Sequence, residues 1–208
     1  PCVNSITGDK LTAFAPNTTG VPYHRKSINK DGLEFQNEMF KEVIKQLFDI
    51  SCLFEAVDDI GNFRKAYEKI AQEEIKYRIE RNIKSQEEVL NDTISTALIL
   101  AMRDKHTTDS DIQNFAYLSQ GINQFKSFVY TGHFRIEHAQ LAGAKAAYLA
   151  AIILKKDNGP LKRFDEKIPV AEYSINHPDY AFLNKKLKFV LKGEALFYWN
   201  EVVKLLHP

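Results

Sequence analysis

The chain has 208 residues, and its 28 Lys and Arg against 27 Asp and Glu leave it nearly neutral, which excludes a surface devoted as a whole to nucleic acid or anionic lipid. A hydrophobic fraction of 44%, with 12% aromatic, lies well above the range of disordered chains, so the sequence is expected to fold. Two cysteines, Cys2 and Cys52, are too few for a zinc cluster or a disulfide-stapled scaffold, and Cys52, in an apolar helical run, reads as a small buried hydrophobe.

The first 32 residues are rich in Pro, Gly, Thr and Asn and hold no period, so 1–32 reads as an irregular N-terminal arm ahead of a helical domain at 33–208. From Leu33 the chain changes character. Phe40, Val43, Ile44, Leu47 and Phe48 form the wide apolar stripe of an amphipathic helix. The charged stretch after Gly61 places Phe63, Tyr67, Ile70 and Tyr77 on one side of a second helix. Ser85 and Glu88 match a capping box for a third, whose apolar centre suggests deep burial. Asp109 or Ser110 can start a fourth, carrying Phe115, Leu118, Ile122 and Phe125.

Next comes a segment of two unlike halves. Ala139, Ala142, Gly143, Ala146, Ala147, Ala150 and Ala151 lie on one small-residue face, the mark of a central packing helix that lets neighbours approach closely. Beyond a loop at 157–170, a helix from about Pro178 to Gly193 and a last one after Glu194 complete the chain. With no alternating strand pattern and no Asn-Gly turn, the expected fold is all-α, a single-domain bundle of about six or seven helices with an irregular N-terminal arm.

No phosphate-cradling glycine loop, nucleophile elbow or zincin motif is present, and no metal or cofactor is expected. Chemistry is best sought in the first half of the unlike segment. His133 and Glu137 stand four apart, and Arg135 and His138 three apart, so a helix makes them two neighbouring pairs. A histidine beside a carboxylate is a general-base arrangement, and an arginine beside it can hold an anion. The Arg135 to His138 pairing, like Arg103 to His106, resembles the arginine–histidine pair of helical RNases of the HEPN type, but both spacings are shorter than that family uses. Asp58-Asp59 and Asn91-Asp92 with Ser95 resemble fragments of the terpene synthase metal motifs, yet the spacing differs and Ile99 stands where an acid is needed. Both acidic pairs read as solvated helix ends or faces.

The last third carries the one local basic bias, Lys155, Lys156, Lys162, Arg163, Lys185, Lys188 and Lys192, a candidate surface for nucleic acid, anionic lipid or an acidic protein. Asn17-Thr18-Thr19 and Asn91-Asp92-Thr93 match the N-glycosylation pattern. No apolar run approaches the roughly 20 residues of a membrane span, and a cytoplasmic location is expected. The leading expectation is a helical protein that acts by binding another macromolecule, foremost a protein. The alternative is a helical hydrolase or nuclease using His133, Arg135, Glu137 and His138.

Overall fold

A computed structural model describes residues 2–106, 108–126 and 134–208. Among these lie eight α-helices: α1 (Val3–Ala13), α2 (Phe40–Phe54), α3 (Ile60–Tyr77), α4 (Gln86–Met102), α5 (Asp109–Phe125), α6 (Ile136–Leu154), α7 (Leu183–Leu187) and α8 (Glu194–Leu206). One antiparallel hairpin joins them, β1 (His24–Ile28) paired with β2 (Glu34–Glu38) in the register His24 opposite Glu38 and Ile28 opposite Glu34. The protein is therefore all-α in class, with a small ribbon set between α1 and α2.

The caps follow local chemistry. Asp59 accepts from the Asn62 amide at the start of α3, Ser85 from the Glu88 amide at α4, and Thr108 from the Asp111 amide at α5. The Glu88 carboxylate reaches back to the amide of Lys84 at 3.1 Å, one residue earlier than a capping box requires. Tyr77, expected on the buried stripe of α3, is 78% exposed instead, because the helix ends there and turns outward.

α6 is the spine, against which α2, α4 and α8 pack. Its residues 139–153 are all buried, including Lys145. The small-residue face does what its spacing predicts, although its partner is also small: a Cβ on Gly143 would meet Ala97 of α4 at 3.5 Å, an ordinary contact. Small-against-small packing lets the two backbones approach closely. Phe40, Val43, Ile44 and Leu47 of α2 and Trp199 and Val202 of α8 complete the core.

The first 32 residues depart from the expectation of an irregular arm. α1 packs on α2 and α3, and Gly8 permits it, since a Cβ there would lie 2.9 Å from the Tyr67 amide nitrogen. Residues 13–20 fold back onto α4 through one buried carboxylate. Asp92 accepts from the Asn17 amide at 2.9 Å, the Asn17 side chain at 2.7 Å, the Thr18 hydroxyl at 2.9 Å and the Thr96 hydroxyl at 3.3 Å. Arg81 donates to the Thr18 carbonyl, and the Thr93 hydroxyl donates to the Phe14 carbonyl at 3.3 Å. Asp92 is thus a buried tether and not a solvated helix face. Burial pushes its carboxyl above the ordinary aspartate value, and the four donors pull back only part of that rise. Both Asn-x-Thr sequences belong to this junction: Asn17 is bonded to Asp92, and Thr93 is fully buried.

At the other end, the helix expected from Pro178 to Gly193 is reduced to α7 and a 3-10 turn over Val190–Gly193. Leu191, Lys192 and Gly193 all have positive φ, which breaks the helix before α8 begins. No helix among the described residues is long and apolar enough to cross a membrane. Both cysteines are free and exposed, so Cys52 is not the buried hydrophobe its neighbours suggested.

Candidate functional site

The start of α6 divides the residues that the sequence grouped together. Arg135 is the extended N-cap, and its amide donates to Nδ1 of His138 at 3.2 Å. An accepting Nδ1 leaves the proton of the neutral ring on Nε2 and gives His138 a capping role. Arg135 and Glu137 instead line a cleft. His133 lies outside the described residues.

That cleft, about 390 Å³, is bordered by the end of α4, the last turns of α5 and the first turn of α6. Arg103, Lys126 and Arg135 bring three cations to it, with Ser119, Asn123 and Glu137 as further polar groups and Phe115, Ile122 and Ile136 as apolar lining. Arg103 caps α4 at φ 61 and ψ −95, a conformation that costs an L-residue about 1–3 kcal/mol. Asp104, beside it in sequence, is paired with Lys186 at 2.5 Å, and this contact holds its carboxyl below the usual range. His106 lies against Phe115, ring centroids 5.0 Å apart, with both ring nitrogens buried and unbonded among the described residues. The two arginine–histidine pairs read from the sequence thus meet at one cleft. Each arginine lines it, and each histidine sits back from it against a phenylalanine, His138 stacking on Phe134 at 6.2 Å.

Several basic residues of the last third are paired with acids, and others stay exposed. Lys155 and Lys156 are exposed just beyond the end of α6. Lys162 pairs with the buried Glu201, and Lys192 pairs with Glu166 at 2.6 Å. Arg163 closes the end of α2, donating to the carbonyls of Phe54 at 2.8 Å and Val57 at 2.9 Å while its guanidinium lies 4.6 Å from the Phe54 ring centre. It shares Glu55 with Lys145, which is held between Glu55 at 2.8 Å and Glu194 at 2.9 Å. Lys185 and Lys188 border a hollow of about 440 Å³ beside Ser174, Asn184 and the exposed ring of Phe189. Much of the local charge is therefore answered by acids that lie far away in sequence.

The sequence reading passed over the hairpin. The Tyr23 carbonyl accepts from the Met39 amide at 2.8 Å, and His24 packs edge-on against Phe40 and Tyr117, which anchors the base. Gln120 adds a bond to Glu38 at 2.9 Å. Above that base the ribbon packs on itself, and Ile28, Leu33 and Phe35 are 69%, 65% and 47% exposed. The turn is held by Asn29, whose side-chain oxygen accepts from the amides of Asp31 at 3.0 Å and Leu33 at 2.8 Å. Gly32 supplies the left-handed residue at φ 79. The available signal was Asp31-Gly32 just ahead of the short alternation Leu33-Glu34-Phe35-Gln36, an Asp-Gly counterpart of the Asn-Gly turn.

Among the described residues, no group of three or more His, Cys, Asp or Glu side chains is placed to hold a metal ion. Comparison with known protein families, curated proteins and solved structures finds no match to this chain.

Proposed function

We propose that the chain is a macromolecule-binding protein whose docking element is the β1–β2 ribbon, and that its partner is another protein presenting an acidic, extended segment. The observation that carries this reading is the ribbon's exposure: two strands without further strand partners among the described residues, bearing three exposed large apolar side chains at and beside the turn. An extended segment added to such an edge gains main-chain hydrogen bonds along its length.

Charge selects the occupant. β1 carries His24, Arg25 and Lys26 and no acid, with Lys26 4.0 Å from Glu34 of β2; Lys30 and Asp31 follow in the turn, and β2 carries Glu34 and Glu38. Pairing β1 with β1 of a second copy, or β2 with β2, sets like charges against each other. Pairing β1 of one copy with β2 of the next is a head-to-tail contact, which builds a ring or an open-ended chain and not a closed dimer. An acidic strand from a different protein along β1 meets neither obstacle. Leu33 and Phe35, both on the face shared with Arg25, supply the apolar anchor.

The test uses a labelled peptide of alternating Glu and Val, with a Lys and Val peptide as its counterpart. Fluorescence anisotropy should register binding of the acidic peptide alone. Arg25→Glu with Lys26→Glu should weaken it about tenfold or more, while Arg103→Gly leaves it unchanged. Equal affinity in the charge-reversed ribbon contradicts the reading, and loss only in Arg103→Gly moves the binding to the α6 cleft.

A further inference from the structure

We propose that the cleft between the end of α4, the end of α5 and the start of α6 binds the phosphate group of a small organic phosphomonoester. This assignment is independent of the ribbon. Arg103, Lys126 and Arg135 arrive from three separate elements, so no single helix pattern explains their convergence. Neither arginine has an ion-pair partner among the described residues, and Lys126 donates to the neutral oxygen of Asn123 at 2.7 Å. The acids nearby do not cancel the three charges. Glu137 is the one carboxylate lining the cleft, and Asp104 is occupied by Lys186. The segments outside the described residues, 107 and 127–133, contain no Asp or Glu and bring no counter-charge.

Two features narrow the anion to a phosphate ester. Guanidinium groups present forked donors that match the oxygens of a phosphate, and the first turn of the 19-residue α6 adds the positive end of its dipole on the same side. The Phe115 ring lines the same cleft and offers an apolar surface that free phosphate has no use for but an organic substituent does. About 390 Å³ accommodates a phosphate with a ring-sized substituent.

Isothermal titration of the whole chain with phenyl phosphate, inorganic phosphate and phenol separates these elements. Saturable binding of phenyl phosphate is expected, weaker binding of inorganic phosphate, and none of phenol. Arg103→Gly keeps the backbone conformation without the guanidinium, and it and Arg135→Ala should each lower the phenyl phosphate affinity about tenfold or more. Lys156→Ala, an exposed cation away from the cleft, should leave the affinity within about twofold. Unchanged thermal melting of the cleft variants separates lost binding from lost folding, and Arg135→Lys provides a milder variant if Arg135→Ala melts early. No saturable binding of phenyl phosphate, or binding indifferent to both arginines, overturns the site. Equal affinity for inorganic phosphate overturns the ester.

Discussion

Residues 2–23 and residues 24–38 are neighbours in sequence, polar and rich in turn-forming residues, yet they come to opposite ends. The first stretch is locked. α1 lies against α2 and α3, and the turn after it is gathered onto α4 by three hydrogen bonds to one carboxylate. The second makes a ribbon that touches the bundle at its base and exposes its apolar side chains. The difference lies in the partner and not in local composition. Asp92, some 75 residues downstream, collects the first stretch, and among the described residues nothing comparable faces the second. Polar composition alone does not decide between an ordered arm and an exposed one.

The contrast breaks most sharply at Asp92. Asp92→Ala removes the acceptor shared by Asn17, Thr18 and Thr96 at a partly buried junction, and a loss of about 3 kcal/mol is expected in urea denaturation. Asp92→Asn keeps the shape and one acceptor and should lose less. Gly8→Ala follows, since the added methyl would lie 2.9 Å from the Tyr67 backbone; overpacking of about 1–3 kcal/mol should appear in the same assay.

A pH series sharpens the same site. Folded Asp92 holds its proton at a pH where the unfolded chain, titrating near 3.9, has lost it. Its contribution to stability is therefore fully present below that value and is lost as pH rises through the folded value. The stability of the wild type relative to Asp92→Asn should fall across that window, as read from denaturation midpoints. The smallest effect belongs to the ribbon. Leu33→Asp and Phe35→Asp should each change stability by no more than about 0.5 kcal/mol, because both side chains already face water.

The class of fold was legible because helical periodicity is local. Phe40 through Leu47 point one way on α2, and the alanines of α6 form one face whatever packs on them. What escaped depends on contacts distant in sequence. α1 carries buried Asn4, Thr7, Gly8 and Thr12, which leave no apolar stripe to read, and its order comes from α3 and from Asp92. Lys145 looks like a solvated charge on a helix until Glu55 and Glu194, from two other elements, close around it. The candidate site was half visible: Arg135 and Glu137 were marked, while Lys126 carried no pattern of its own. His138 was marked as well, and its neighbour's amide turned it to capping.

Hydrogen exchange read by mass spectrometry tests the division of the first 38 residues most directly. Amides of α1 and of residues 15–21 should exchange near the rate of global unfolding, and those of β1 and β2 orders of magnitude faster. Asp92→Asn should deprotect the first set and leave the second as it was. Equal protection of arm and ribbon, or a ribbon slowed to the rate of the core, would contradict the account.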